Sequence, residues 1–270
     1  MTIRVLLVGC GNMGYAMLSG WLSSGKLKAS ETLVVEPNED LRQRAVGLGS
    51  AVAASNADLP AGLSPELIVI AVKPQVLRDV VAGYAGFADK STFLSIAAGA
   101  NVATFTGILG GQTAIVRCMP NTPAAIGKGM MVVFSNANVT DKTKLFVGDL
   151  LSASGRVATI DDESLMDAVT AVSGSGPAYI FYLIECLTAA AEKVGLPADT
   201  AKLLAMQTVF GAASLAAESG EDPAVLRKQV TSPNGTTAAA LGVLMGEDRL
   251  KNLVAEAVEA ARDRSIELGK

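Results

Sequence analysis

The chain has 270 residues, half of them hydrophobic and 18% charged, with 27 glycines, no histidine and a formal net charge of −4. That length suits one large domain or two modest ones with real cores, and with no basic excess nucleic acid is not an expected partner. The missing imidazole excludes Ser-His-Asp and Cys-His nucleophilic systems, histidine metal centres and imidazole-assisted dehydrogenases, so no metal site is expected.

Met1 leads directly into an apolar, strand-like run, without a basic region, h-region and cleavage site in order, so it reads as structure. Ile3 to Val8 is that first strand; it stops at Gly9, and Met13 to Leu22 then carries helical apolar spacing. Thr32 to Val35 is a second strand, ending at Glu36-Pro37-Asn38 before a helical pattern over Glu39 to Leu48. Leu67 to Val72, Thr92 to Ile96 and Ile115 to Met119 are each too continuously apolar for a half-exposed strand and suit a parallel sheet covered on both faces. This alternation predicts a doubly wound α/β domain. After Val157 to Ile160 the strand signal ends, Asp161-Asp162 cap a helix over Ser164 to Val172, and helices follow, broken at Ser173–Pro177, Gly195–Pro197, Gly220–Pro223 and Ser232–Gly235. The expected division is therefore 1–162, a sheet domain, and 163–270, a helical one. The apolar stretch Ala178 to Ala191, interrupted by Glu185, is too short for a bilayer span and reads as a buried helix, so no membrane partner is expected. The helical half is apolar on several faces, more than about a hundred residues can hide, which points to a partner subunit. Cys10, Cys118 and Cys186 are odd in number and far apart in apolar surroundings, as reduced thiols of a cytoplasmic protein would be.

Gly9-Cys10-Gly11-Asn12-Met13-Gly14 is G-x-G-x-x-G set between a strand and a helix. In that context its glycines permit a tight turn, let a pyrophosphate approach the backbone, and let helix pack on strand, while the helix N-terminus offers free N–H groups. Glu36 lies 22 residues beyond Gly14 at the end of the second strand, where a carboxylate accepts the adenosine ribose hydroxyls; this favours NADH. Arg42 and Arg44 lie close enough in sequence to turn toward a 2′-phosphate instead, so NADPH stays open.

Beyond that loop, the chain resembles the pyrroline-5-carboxylate reductase family over essentially its whole length. The resemblance rests on Ala71-Val72-Lys73-Pro74, Ala97-Ala98-Gly99, Arg117-Cys118-Met119-Pro120-Asn121-Thr122-Pro123, Ser173-Gly174-Ser175-Gly176-Pro177-Ala178-Tyr179 and Val230-Thr231-Ser232-Pro233-Asn234-Gly235-Thr236-Thr237, in that order. It implies a Rossmann-like doubly wound sheet domain followed by an all-helical dimerisation domain, assembly as a homodimer or larger, and reduction of a small imine, 1-pyrroline-5-carboxylate, to proline with NADPH or NADH. It assigns Gly9, Gly11, Asn12, Met13 and Gly14 to the pyrophosphate, Asn56 to the adenosine ribose, Val72 and Lys73 to the length of the cofactor, and Ala98 to the nicotinamide side. It assigns the substrate to Ser232, Gly235, Thr236 and Thr237, with the Thr237 hydroxyl on the ring nitrogen, and implies substrate contacts for Ser175 and Glu163. Asn234 replaces a usual glycine; asparagine tolerates left-handed backbone, so the loop shape is expected to survive.

A cyclic imine carries its own basic nitrogen and, once protonated, accepts hydride without a strong general acid, which agrees with a chain lacking histidine. Two alternatives remain at this level. A β-hydroxyacid dehydrogenase-like enzyme needs a lysine on the interdomain helix, and none lies between Lys144 and Lys193. A non-catalytic dinucleotide-binding protein of the same fold would bind cofactor without oxidising it.

Overall fold

The computed structural model describes residues 2–269. Strands β1 (Val5–Val8), β2 (Thr32–Val35), β3 (Ala51–Ala53), β4 (Leu67–Ile70), β5 (Thr92–Ser95), β6 (Ile115–Met119), β7 (Gly129–Ser135) and β8 (Gly155–Thr159) form one sheet in the order β3-β2-β1-β4-β5-β6-β7-β8. Strands β1 to β6 are mutually parallel. Alternate residues of each strand feed opposite cores: Val5 and Leu7 pack with Met17, Leu18 and Trp21 on one face, Leu6 and Val8 with Ile68, Phe93 and Phe105 on the other. Burial on both faces is why these strands read as unbroken apolar runs.

The strands read from the sequence as parallel are so; β7, which that reading did not include, runs antiparallel to β6. Between them lies only the short 3₁₀ turn Thr122–Ile126, and a connection without a crossover helix brings the chain back antiparallel. Helices α1 (Asn12–Ser23), α2 (Glu39–Gly47), α3 (Leu77–Ala82), α4 (Val102–Leu109) and α5 (Asp141–Ser152) cover the sheet. Asp162 caps the next segment through its bond from Ser164 N (2.9 Å), after which α6 (Met166–Val169) passes into a π turn over Thr170–Gly174. The expected break at Ser173–Pro177 is thus a widening of the helical ladder, closed by Ser175 N donating to Thr170 O at 2.8 Å, rather than a stop.

Helices α7 (Gly176–Lys193), α8 (Ala198–Ser219), α9 (Pro223–Gln229), α10 (Thr236–Met245) and α11 (Arg249–Leu268) follow. The chain divides into two compact units, one running to Ser175 and taking in the residues from Ala261 onward, the other comprising Gly176–Ala260. In the second unit the buried-helix expectation for 178–191 is overturned for the single chain: α7 has no buried residue, and Phe181 and Tyr182 are more than half exposed. Among the described residues no helix is long and apolar enough to cross a membrane.

Candidate active site

The register of the three central strands creates the first part of the site. Val5–Val8 pairs residue for residue with Thr32–Val35 and with Leu67–Ile70, so the three strands end level. Gly9 N then bonds Val35 O and Ala71 N bonds Val8 O, both at 2.8 Å, and Glu36 N bonds Ala53 O at 3.1 Å. The order reverses between β1 and β4, the switch point at which an open parallel sheet leaves a crevice. A cleft of about 630 Å³ opens there, and Gly9, Gly11, Glu36, Asn56, Val72 and Lys73 all line it. Asn12, Met13 and Gly14 begin α1 at its edge, whereas Ala98 lies beyond β5 and does not line it.

The three glycines meet three different requirements. Gly9 has φ +92°, and a Cβ there would stand 2.6 Å from Ala71 O; a Cβ on Gly14 would collide with Gly9 O; around Gly11 there is open space. Gly11 is also the N-cap of α1 and brings no capping side chain, and no acidic residue occupies the first turn. The leading N–H groups of α1 therefore face the opening with a positive dipole end, a site for a pyrophosphate.

Glu36 is buried, 7% exposed, and its carboxylate is fixed by Cys10 N on Oε2 (2.7 Å) and Asn38 N on Oε1 (3.0 Å). Both arginines that the sequence offers as phosphate partners are engaged elsewhere. Arg42 donates to the carbonyls of Glu36 (2.8 Å) and Pro37 (3.0 Å), and the Arg44 guanidinium stacks 4.0 Å over Tyr15. The Cys10 thiol points into the core, and burial, then the charge of Glu36, pushes its pKa up to about 11, which removes it from thiolate chemistry. Asn56 donates to Gly83 O (3.0 Å), which holds its side chain at the cleft wall.

In the second unit, Val230–Thr237 folds as expected around a turn. Gly235 N bonds Ser232 O (3.1 Å), Asn234 sits at φ +61°, and a Cβ on Gly235 would collide with Ser232 Oγ. Asparagine thus takes the left-handed position as a glycine would. Gly235 is the N-cap of α10 without a side-chain bond, so the N–H groups of Thr236, Thr237 and Ala238 precede the first helical bond, Ala239 N to Gly235 O (3.1 Å). Those donors and two hydroxyls suit a carboxylate. Ser175 and Glu163 belong to the first unit, away from this turn in sequence. Ser175 is half-buried just after the π turn, and the Glu163 carboxylate is occupied by Arg117 Nη1 (2.6 Å) and Val102 N (2.7 Å). Sequence reasoning gave no individual role to Arg117 or to Asn121, which bridges Ser173 O (3.1 Å) and Met130 N (2.8 Å). Their signal was present: an arginine inside a continuously apolar strand needs a partner.

Sheet order, crevice and glycine loop together define a Rossmann-type dinucleotide-binding protein carrying a helical second unit. A family model described as pyrroline-5-carboxylate reductase dimerisation matches residues 163–268, and one described as NADP oxidoreductase, coenzyme F420-dependent, matches residues 4–99. The chain is 40% identical over 271 residues to the pyrroline-5-carboxylate reductase of Pseudomonas aeruginosa, covering 100% of this chain and 98% of that protein. A solved pyrroline-5-carboxylate reductase from Coxiella burnetii superposes with a TM-score of 0.92 at 33% identity, covering 100% of both chains. The Plasmodium falciparum enzyme, solved with NADP bound, gives 0.86 at 31% identity, covering 99% of this chain and 98% of that one. The chain belongs to the pyrroline-5-carboxylate reductase family.

Proposed function

We propose that this chain reduces 1-pyrroline-5-carboxylate to L-proline with a reduced nicotinamide dinucleotide, the closing step of proline biosynthesis. Beyond family membership, the observation that carries this reading is the presence, in one chain without histidine, of two helix N-termini left open by glycine N-caps, one beside Glu36 and one headed by two threonines. When bound, the dihydronicotinamide supplies a hydride. Gly9, Gly11, Asn12, Met13 and Gly14 hold its pyrophosphate, Glu36 and Asn56 its adenosine ribose, Val72 and Lys73 its flank, and Ala98 the nicotinamide side. Ser232, Gly235, Thr236 and Thr237 receive the substrate carboxylate on backbone N–H groups and hydroxyls. The Thr237 hydroxyl accepts the iminium N–H and so keeps the proton on the ring nitrogen while its carbon is electrophilic. Ser175 is a further substrate contact. Mixing the protein with NADH and the imine tests this: stoichiometric cofactor oxidation and proline formation are expected, and cofactor binding without oxidation favours a non-catalytic protein instead.

Gly11→Ala separates binding from folding. With open space at its Cβ position and φ −63°, alanine is accommodated without loss of thermal stability, but the methyl group stands where a pyrophosphate would lie. We expect an unchanged Tm and NADH affinity weakened by about 10-fold or more, a loss of about 1.4 kcal/mol; titration calorimetry alongside thermal melting checks both.

We further propose a homodimer through 163–270, located in the cytoplasm. The exposed apolar face of α7, including Ile180, Phe181 and Leu183, and the match to a dimerisation family support assembly. Three free thiols, two of them buried, suit a reducing compartment. Sedimentation is expected to give a dimer or larger species at micromolar concentration, whereas a stable monomer contradicts the assignment of that face.

A further inference from the structure

We propose that Glu163 is a positioning residue for the nicotinamide half of the cofactor site, acting through the turn Ala97–Asn101, and not an acid that titrates against the substrate. The adenosine-side features, Glu36 and Asn56, lie on the β2 side of β1. A dinucleotide spans the crevice at the switch point, so its other half extends over the ends of β4 and β5. The turn Ala97–Asn101 occupies that place, between Ser95 at the end of β5 and Val102 at the start of α4.

That turn is held at both its middle and its end. Gly99, at φ +75°, passes so close to the C-terminal segment that a Cβ would stand 3.1 Å from Leu268 O, and that segment is in turn tied down by Ser265 Oγ donating to Asp167 Oδ1 (2.6 Å). At the far end one oxygen, Glu163 Oε1, accepts both Val102 N (2.7 Å), the leading N–H of α4, and Arg117 Nη1 (2.6 Å). The Arg117 side chain is only 8% exposed on β6, so its guanidinium N–H requires an acceptor there, and that acceptor also sits at the positive end of α4. Glu163 therefore links the floor of the sheet to the end of the turn, and its acceptor oxygen is committed there.

A single substitution isolates the link. Val102 is the first residue of α4, where proline is tolerated, and Asn101 before it has φ −90° and ψ 169°, the extended conformation a following proline demands. Val102→Pro thus deletes the N–H donated to Glu163 and leaves the Arg117 ion pair. Binding of NADH and of ADP-ribose, which lacks the nicotinamide, is then measured for Val102→Pro, Glu163→Ala and Glu163→Gln. We expect NADH to weaken by about 10-fold in the first two, as a slight misplacement of a bound group costs, with ADP-ribose affinity unchanged. Glu163→Gln, whose amide oxygen accepts both bonds, restores NADH binding and keeps the wild-type pH dependence of kcat. Equal affinities of wild type and Val102→Pro for NADH overturn the proposal, as does loss of a pH limb in Glu163→Gln. This inference deepens the proposed reductase reading, but the comparison of the two ligands requires no turnover and stands or falls separately from imine reduction.

Discussion

Thr237→Ala is expected to lower kcat/KM for the imine by about 100-fold while leaving NADH affinity within about twofold of wild type, since without that acceptor less of the bound imine is held in its protonated, electrophilic form. The expectation follows from where Thr237 stands. It is the second residue of α10, half-buried, with its backbone N–H among the donors ahead of the first helical bond. Alanine keeps that N–H and has a high helix propensity, so α10 is retained and the carboxylate donors with it. Only the hydroxyl is lost, and with it the acceptor for the iminium N–H. Serine at the same position restores most of the rate. Steady-state kinetics with parallel NADH titration decides the matter: equal loss of cofactor affinity and turnover would mean that the turn serves the fold and not the substrate.

Glu36→Ser is expected to move the ratio of kcat/KM for NADH over NADPH toward NADPH by about 10- to 100-fold. A carboxylate and a 2′-phosphate about 4 Å apart repel by about 1 kcal/mol in water and about 4 kcal/mol at the dielectric of a site near a protein surface. At 7% exposure Glu36 belongs nearer the second value, and its two backbone donors prevent it from swinging aside. Serine removes the repulsion and presents a small donor. The gain stops short of full reversal because Arg42 stays on the carbonyls of residues 36 and 37 and Arg44 on Tyr15. An unchanged ratio would place the ribose away from Glu36.

Much of the first unit is legible in the chain because its constraints are local. Val5–Val8, Thr32–Val35 and Ile115–Met119 are buried throughout and mostly apolar since helices cover both faces, and Gly9 and Gly14 of the loop each answer to one φ or one close approach. Gly129–Ser135 escaped that reading although it is equally apolar, because the alternation of strand and crossover helix fails there and only pairing with β6 defines it. The π turn at Thr170–Gly174 was hidden for a related reason: glycine and serine mark a break in helical pattern without saying whether the ladder stops or widens. The end of the strand signal puts the domain boundary at Asp162, whereas compactness carries the first unit on to Ser175 and returns the end of α11 to it. Periodicity reveals that 163–175 and 261–268 are helical but not what they pack against. At the site, residue types pointed to Glu36 and the threonine turn, but the partners of Glu163 lie 46 and 61 positions away, a relation that no spacing in the chain discloses.

The transfer of hydrogen itself can be followed with NADH deuterated at the nicotinamide C4 position in place of ordinary cofactor. Proline recovered from the reaction is expected to carry one deuterium, on the ring carbon that was doubly bonded to nitrogen, and the label is expected from only one face of the nicotinamide. Proline without the label, or oxidation of the cofactor with no proline formed, would contradict direct delivery to the imine.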